Sequence, residues 1–346
     1  MSAASSDVPR IGLVLGDPSG IGPEVCAKLL ASGAWRSHVR LHVVGDPRVL
    51  AQAAQQTGVA LPDDVPVDGA VPFDPSSIRQ GVASAAAGRV AGEWLKRAVK
   101  LAVAGELEGV CYAPLNKSAL NLGGWHYPDD LNLFAAITAY AGPQGTIGEL
   151  NVQPHPHGDL WTSRVTSHVP LKDVARHVTQ EAVQDAIHLI HSAVRRSGVA
   201  QPRIAIAALN PHAGDGGLCG DEEATVIAPA IERARATGVT CDGPFAADTI
   251  FLRARRPDGV QNYEAVVSMY HDQGQIATKL LGFSRGVTAL AGLPVVLTTP
   301  AHGTAHDIAG KGLADPGALE QAVRLAARLA RQTIVPSEPV SDAAVL

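Results

Sequence analysis

The sequence predicts an α/β protein in which a mainly parallel sheet is covered by helices and interrupted once by an antiparallel hairpin. Short β-branched runs alternate with longer stretches of helical periodicity, and parallel strands need such crossovers. The 346 residues are 46% hydrophobic and 18% charged, apolar enough for a large core shared between two lobes. Between residues 142 and 168, two extended runs flank a loop rich in His and Pro, where the rhythm elsewhere would place a helix.

The apolar run I-G-L-V-L marks a first strand over 11–15, and helical spacing takes over at 22–31. A second strand is expected over 40–44, a long helix over 84–103 and a third strand over 109–112. T-I-G-E-L-N-V and L-W-T-S-R-V-T-S-H then form the hairpin, expected to project as an arm at a subunit contact. One continuous helix is expected over 171–197, then a strand over 203–208 and a helix over 222–237. Strands over 265–269 and 294–298 and a helix over 318–331 complete the pattern, and the Pro-containing tail 335–346 reads as a surface appendage.

Composition excludes several classes of function. A net charge of -5 leaves no basic footprint for nucleic acid, and 4% aromatic residues argue against base stacking. Cys26, Cys111, Cys219 and Cys241 lack paired metal spacing and fit reduced thiols better than a disulfide framework. The opening M-S-A-A-S-S-D-V-P-R has neither the basic start nor the apolar stretch of a secretory signal, and no apolar run approaches membrane-spanning length. A soluble cytoplasmic protein without nucleic-acid or membrane partners is expected.

Among 13 histidines, context singles out His168, His212 and His271. They stand in V-T-S-H-V-P-L, A-L-N-P-H-A-G-D-G-G and S-M-Y-H-D-Q-G-Q, each just after a β-rich run, and strand ends are where ligands bind in open α/β sheets. Three neutral imidazoles that leave coordination positions free make a catalytic metal arrangement. Any one of them alone would more often be a surface or satisfied core residue; the case rests on the three similar contexts. His155 and His157, in the loop Q-P-H-P-H-G, and His177, on a helix face, are read as solvated.

Two glycine-rich segments complete the candidates. G-D-P-S-G-I-G-P-E, residues 16–24, follows the first strand and opens the first helix, so its amides can face a ligand, although a tight turn needs glycine for steric reasons as well. Asp17 there either touches substrate or caps the helix. In P-A-H-G-T-A-H-D-I-A-G-K-G, residues 300–312, glycines, a hydroxyl, histidines and an acid suggest a loop shaped around a polar ligand. An acid at Asp307 suits the ribose hydroxyls of NAD and would repel a 2'-phosphate.

H-G-T-A-H-D-I-A-G-K-G resembles the adenosine-binding loop of isopropylmalate and isocitrate dehydrogenases. The ordered set G-D-P-S-G-I-G-P-E, A-P-L-N-K, T-S-H-V-P-L, L-N-P-H-A-G-D-G-G, G-P-F-A-A-D-T, Y-H-D-Q-G and H-G-T-A is similar to that of the 4-hydroxythreonine-4-phosphate dehydrogenase family, over residues 11–315. The resemblance implies an isocitrate/isopropylmalate dehydrogenase-like fold with two α/β lobes flanking a cleft. The cofactor lobe would comprise 1–135 with 300–346, and 136–299 would carry metal, substrate and dimer contacts.

The resemblance further implies a homodimer with its site at the interface, NAD as cofactor with NADP as the alternative, and one divalent metal per site. Zinc suits three imidazoles, with cobalt, nickel, manganese or magnesium as alternatives. His168, His212 and His271 match the family's ligands, His168 coming from one subunit and the other two from its partner, or the reverse. Lys117, Asp248 and Asp272 are the candidates for accepting the proton; His302, Gly303, Thr304 and Asp307 would hold the cofactor. His126, Lys279, Thr288, Leu297 and Asp17 would line the substrate pocket. The chemistry implied is oxidation of a secondary alcohol β to a carboxylate, then loss of carbon dioxide, with the metal polarising the oxygen throughout.

Departures from the family pattern bear on the substrate. Where phosphate-handling relatives carry Gly-His-Thr-Glu, this chain has G-W-H-Y-P-D-D, with His126 as the one match. Beyond Lys279, an asparagine and an arginine are replaced by Thr288 and Leu297, removing a bidentate contact to phosphate, and Asp129 and Asp130 add negative charge. That pattern resembles the branch acting on non-phosphorylated carboxylated dihydrodiols such as that of terephthalate. Two readings therefore stand: a 4-hydroxythreonine-4-phosphate dehydrogenase of the pyridoxal phosphate pathway type, and a dihydrodiol dehydrogenase of aromatic catabolism. A non-catalytic metal- or nucleotide-binding regulator would predict a broken ligand set, and a true isocitrate or isopropylmalate enzyme would hold its metal with aspartates.

Overall fold

The computed structural model describes residues 8–143 and 145–331. The first half of the chain runs β1 (Arg10–Val14), α1 (Gly22–Ser32), β2 (Arg40–Val44), α2 (Pro47–Thr57), β3 (Val67–Asp68), α3 (Ala85–Val103), β4 (Gly109–Tyr112), α4 (Lys117–Leu122) and α5 (Asp130–Ile137). The hairpin β5 (Gly148–Gln153) and β6 (Leu160–Arg164) follows, then α6 (Val174–His177), α7 (Gln180–Arg196) and β7 (Arg203–Ala207). The described residues continue with α8 (Ala228–Ala236), β8 (Thr240–Phe245), α9 (Ile250–Ala254), β9 (Ala265–Ser268), α10 (His271–Gly282), β10 (Val287–Ala291), β11 (Leu297–Pro300) and α11 (Gly317–Arg331).

Among the described residues, eleven strands join one sheet in the order β3-β2-β1-β4-β11-β10-β5-β6-β9-β7-β8. From β3 to β11 neighbours are parallel, and so are those from β6 to β8. The three pairs between, β11 with β10, β10 with β5 and β5 with β6, are antiparallel. An odd number of reversals makes the two parallel blocks run in opposite directions, so their carboxyl ends open at opposite edges of the sheet. The α/β class expected from the sequence holds.

The hairpin is not an arm. β5 pairs with β10 on one side and β6 with β9 on the other, and the buried Leu150, Val152, Leu160 and Trp161 place it within the core. Backbone groups that looked free in sequence are satisfied by strands more than a hundred residues away. The single helix expected over 171–197 is also broken. Val178 takes φ -82 and ψ 89, and Thr179 restarts the chain by accepting the amide of Ala182. The strand expected over 294–298 begins later, at Leu297.

Helices cover the sheet with apolar faces. Trp94 of α3 and Tyr112 with Phe134, ring centroids 5.2 Å apart, are among the largest buried side chains. Thr298 of β11 donates its hydroxyl to the carbonyl of Ala322 at 2.8 Å, fixing α11 against the sheet. Gly88 of α3 lies so close to α4 that a Cβ there would overlap the carbonyl of Ala119. Among the described residues, no helix is long and apolar enough to cross a membrane.

Candidate active site

The adjacent parallel strands β6, β9, β7 and β8 end side by side, and each is followed within a few residues by a candidate: His168, His271, His212 and Asp248 in that spatial order. His168 and His271 meet, with ring centroids 5.9 Å apart in the same chain. Two imidazoles bound to one ion at about 2.1 Å would have centroids about 5 to 6.5 Å apart, so the pair fits two ligands of a shared divalent metal. Asp272 Oδ1 lies 2.7 Å from His271 Nδ1 and directs the other ring nitrogen, Nε2, away from itself.

His212 stands on the next strand end, in a turn where residues 212–216 all take left-handed backbone angles. Glu223 holds that turn through the amides of Leu209 and Asn210 at 2.8 and 2.7 Å. Burial opposes ionisation of Glu223, but bonds from Asn210 and the two amides outweigh it and hold its carboxyl below the ordinary range. Among the described residues, no three His, Cys, Asp or Glu side chains converge closely enough to hold an ion. The chain thus brings two of the three histidines together, and the meeting of His168 with His271 in one chain corrects the expectation that they come from different subunits. Asp248, Asp272 and Lys279 are exposed nearby.

At the other edge, Asp17 is 1% exposed and accepts the amide and hydroxyl of Ser19 at 2.8 and 2.6 Å. It does not cap α1, whose N-cap is Ile21 without a side-chain bond. The glycine-rich turn serves close approach: a Cβ on Gly20 would lie 2.7 Å from Thr304 Cβ, and Ile21 donates to the Thr304 carbonyl at 3.0 Å. Thr304 is buried, Gly303 and Asp307 are exposed, and the His302 ring turns to the Gly303 carbonyl. Among the described residues, no hydrogen bond or ion pair links this loop to the histidine pair.

The substrate candidates divide. Leu297, 1% exposed, pairs with Val110 and Leu290 inside the sheet, and the Thr288 hydroxyl accepts from Asn151 at 3.2 Å. The Asn151 carbonyl oxygen in turn accepts from Gln275 at 2.5 Å and from Arg164 at 3.4 Å. Arg164 also pairs with Glu149 at 2.7 Å and bonds the Ser167 hydroxyl, beside His168. A cavity of about 600 Å³ runs from Asp129 past Glu149 and Arg164 to His168. His126 is exposed, whereas Asp130 is half-buried and accepts the Tyr112 hydroxyl at 3.4 Å. Burial pushes the Asp130 carboxyl up to about 6; Lys117 opposes the shift, and Glu149 and Asp129 add to it.

Sequence reasoning did not single out Arg164, Glu223 or His306. Each acts through a partner 13 to 287 residues away, and no local spacing marks such contacts.

The chain as a whole has counterparts among known proteins. Residues 37–326 match the family described as pyridoxal phosphate biosynthetic protein PdxA. The chain belongs to the PdxA family. It is 40% identical to the 4-hydroxythreonine-4-phosphate dehydrogenase of Beijerinckia indica, over 92% of this chain and 94% of that one. The crystal structure of 4-hydroxythreonine-4-phosphate dehydrogenase from Klebsiella pneumoniae superposes with a TM-score of 0.79 at 34% identity, covering 95% of this chain and all of that one. A terephthalate 1,2-cis-dihydrodiol dehydrogenase from Burkholderia xenovorans LB400 is also similar, with a TM-score of 0.64 and 27% identity over 93% and 98% of the two chains. This PdxA-family chain is accordingly a dehydrogenase by class.

Proposed function

We propose that this protein oxidises a secondary alcohol β to a carboxylate, with NAD as hydride acceptor and one divalent metal per site, and that loss of carbon dioxide follows. The observation that carries the reading is the His168–His271 pair at neighbouring strand ends, with Asp272 on the outer nitrogen of His271. A bound divalent ion, zinc by the donor set, supplies polarisation of the alcohol and ketone oxygens, and NAD supplies the hydride acceptor. His168 and His271 would hold the ion, with His212 as the third ligand. Asp272 is engaged on His271, which leaves Asp248 and Lys117 to take the hydroxyl proton. His302, Gly303, Thr304 and Asp307 would seat the adenosine half of the cofactor.

A homodimer accounts for the separation of the two edges. Ile276 and Leu280 of α10 are 61% and 84% exposed on the helix that begins at His271 and carries Lys279, an apolar face suited to a second copy. Such a pairing would let the loop of one protomer face the histidines of its partner. Light scattering should then give twice the chain mass.

The names of the relatives favour a phosphorylated substrate of the 4-hydroxythreonine-4-phosphate class. The pocket favours a second reading, a non-phosphorylated carboxylated cis-dihydrodiol, because Thr288 is bonded to Asn151, and Asp129, Asp130 and Glu149 crowd acids where a phosphate would need cations. NADH absorbance with both substrate classes, before and after chelation and zinc repletion, tests the proposal. Metal-dependent NADH formation from a carboxylated alcohol is expected. Binding of NAD and zinc with no turnover of either class would leave the regulator reading instead.

A further inference from the structure

Within loop 302–312, the His306 side chain reaches polar groups of the turn after the first strand. Its Nε2 lies 3.4 Å from the Ser19 hydroxyl and 3.7 Å from Asp17 Oδ2. Both Ser19 bonds fall on Oδ1 of Asp17, so Oδ2 is buried without a hydrogen bond, and the His306 imidazole lies beside it as a charge-compensating group. A second buried acid, Glu24, reaches the same loop by accepting the Gly310 amide, and its Oε2 is likewise unpartnered. Ala305, just before the histidine, takes φ 41, a left-handed angle that an alanine adopts only where its surroundings hold it. Lys28 fastens the far end of the segment through the carbonyls of Gly312 and Ala314 at 2.8 and 2.7 Å.

We propose that His306 is a positioning residue for the cofactor: seated between Ser19 and Asp17, it docks the loop bearing His302, Gly303, Thr304 and Asp307 onto the turn after β1. A buried carboxylate oxygen with no donor is costly, and an imidazole N–H or imidazolium beside it lowers that cost only while the loop is down. Closing the loop and relieving Asp17 are therefore one event. The His306 imidazole faces Asp17 and Ser19, so it acts through the loop.

The inference rests on the reading of this loop as the cofactor seat, and the experiment separates the two. Hydrogen exchange of loop amides is measured on the zinc-loaded full chain without cofactor for wild type, His306→Ala and His306→Gln, together with NADH binding by fluorescence. His306→Ala should speed exchange of the 303–310 amides about tenfold and weaken NADH about tenfold, with kcat at saturating NAD little changed; glutamine, which keeps a donor, should restore most of both. Unchanged exchange in the folded alanine variant, or glutamine no better than alanine, overturns the proposal. Faster exchange with unchanged NADH affinity would keep the docking role and overturn the cofactor seat.

Discussion

His168 and His271 face each other from the ends of two adjacent parallel strands, 103 positions apart in sequence and 5.9 Å apart between ring centroids. The hydrogen bond that His271 Nδ1 donates to Asp272 selects which nitrogen is left for an ion and how the ring is turned. Asp272→Asn should lower zinc affinity about ten- to a hundredfold, the usual effect of removing a carboxylate behind a ligating histidine. Zinc competition with a chromophoric chelator measures this, and His168→Ala in the same assay should lose the ion. Unaltered affinity in both would detach the pair from metal binding.

Asp307 tests the cofactor assignment. Lys311 bonds the Asp307 backbone carbonyl at 2.7 Å and leaves the exposed carboxylate facing outward, available to two ribose hydroxyls. Asp307→Lys should weaken NAD by about tenfold, roughly 1.4 kcal/mol, and leave NADP equal or tighter, because the repulsion toward a 2'-phosphate is removed. Dissociation constants for the two cofactors supply the comparison. Equal weakening of both would place the ribose elsewhere.

How much of this was legible in the sequence depends on whether the signal was local. The strands of the first block are apolar runs with helices after them, and the periodicity of α3 and α11 marks both. β8 was missed because T-C-D-G-P-F interrupts its pattern with Gly and Pro, and α10 because its first residue is the candidate ligand His271. The hairpin had the right partners within itself; its second set, β10 and β9, lies over a hundred residues on, and register across that distance leaves no local trace. The same limit applies to the site. Strand ends were visible, so the histidines were found, whereas the Tyr112–Asp130 and His306–Asp17 contacts exist only after folding.

Gly88 packs α3 against α4, which carries the proposed proton acceptor Lys117. A Cβ there would overlap the Ala119 carbonyl, so Gly88→Ala must push α4, and Lys117 at its first turn, away from α3. The cost should be about 1–3 kcal/mol in denaturant unfolding, with a fall in kcat beyond that explained by the folded fraction. Gly92→Ala is the control. Its Cβ would meet the Trp125 indole and not the backbone of α4, so stability should fall but turnover of the folded fraction should hold.

Asp130 supplies a pH signature with a definite sign. Its carboxyl is raised to about 6 by burial, with Glu149 and Asp129 adding to the effect and Lys117 opposing it, so the folded protein binds a proton there that the unfolded chain has released above its ordinary carboxylate range. The stability it contributes is therefore complete below about pH 4 and lost as pH rises through about 6. Asp130→Asn, which keeps the shape and a group for the Tyr112 hydroxyl, removes that loss. Relative to wild type it should be about 2 kcal/mol more stable at pH 7.5, with the advantage shrinking to near zero by about pH 4. Urea unfolding across that range checks the slope. An advantage that stays constant with pH would mean that Asp130 titrates like an ordinary surface carboxylate.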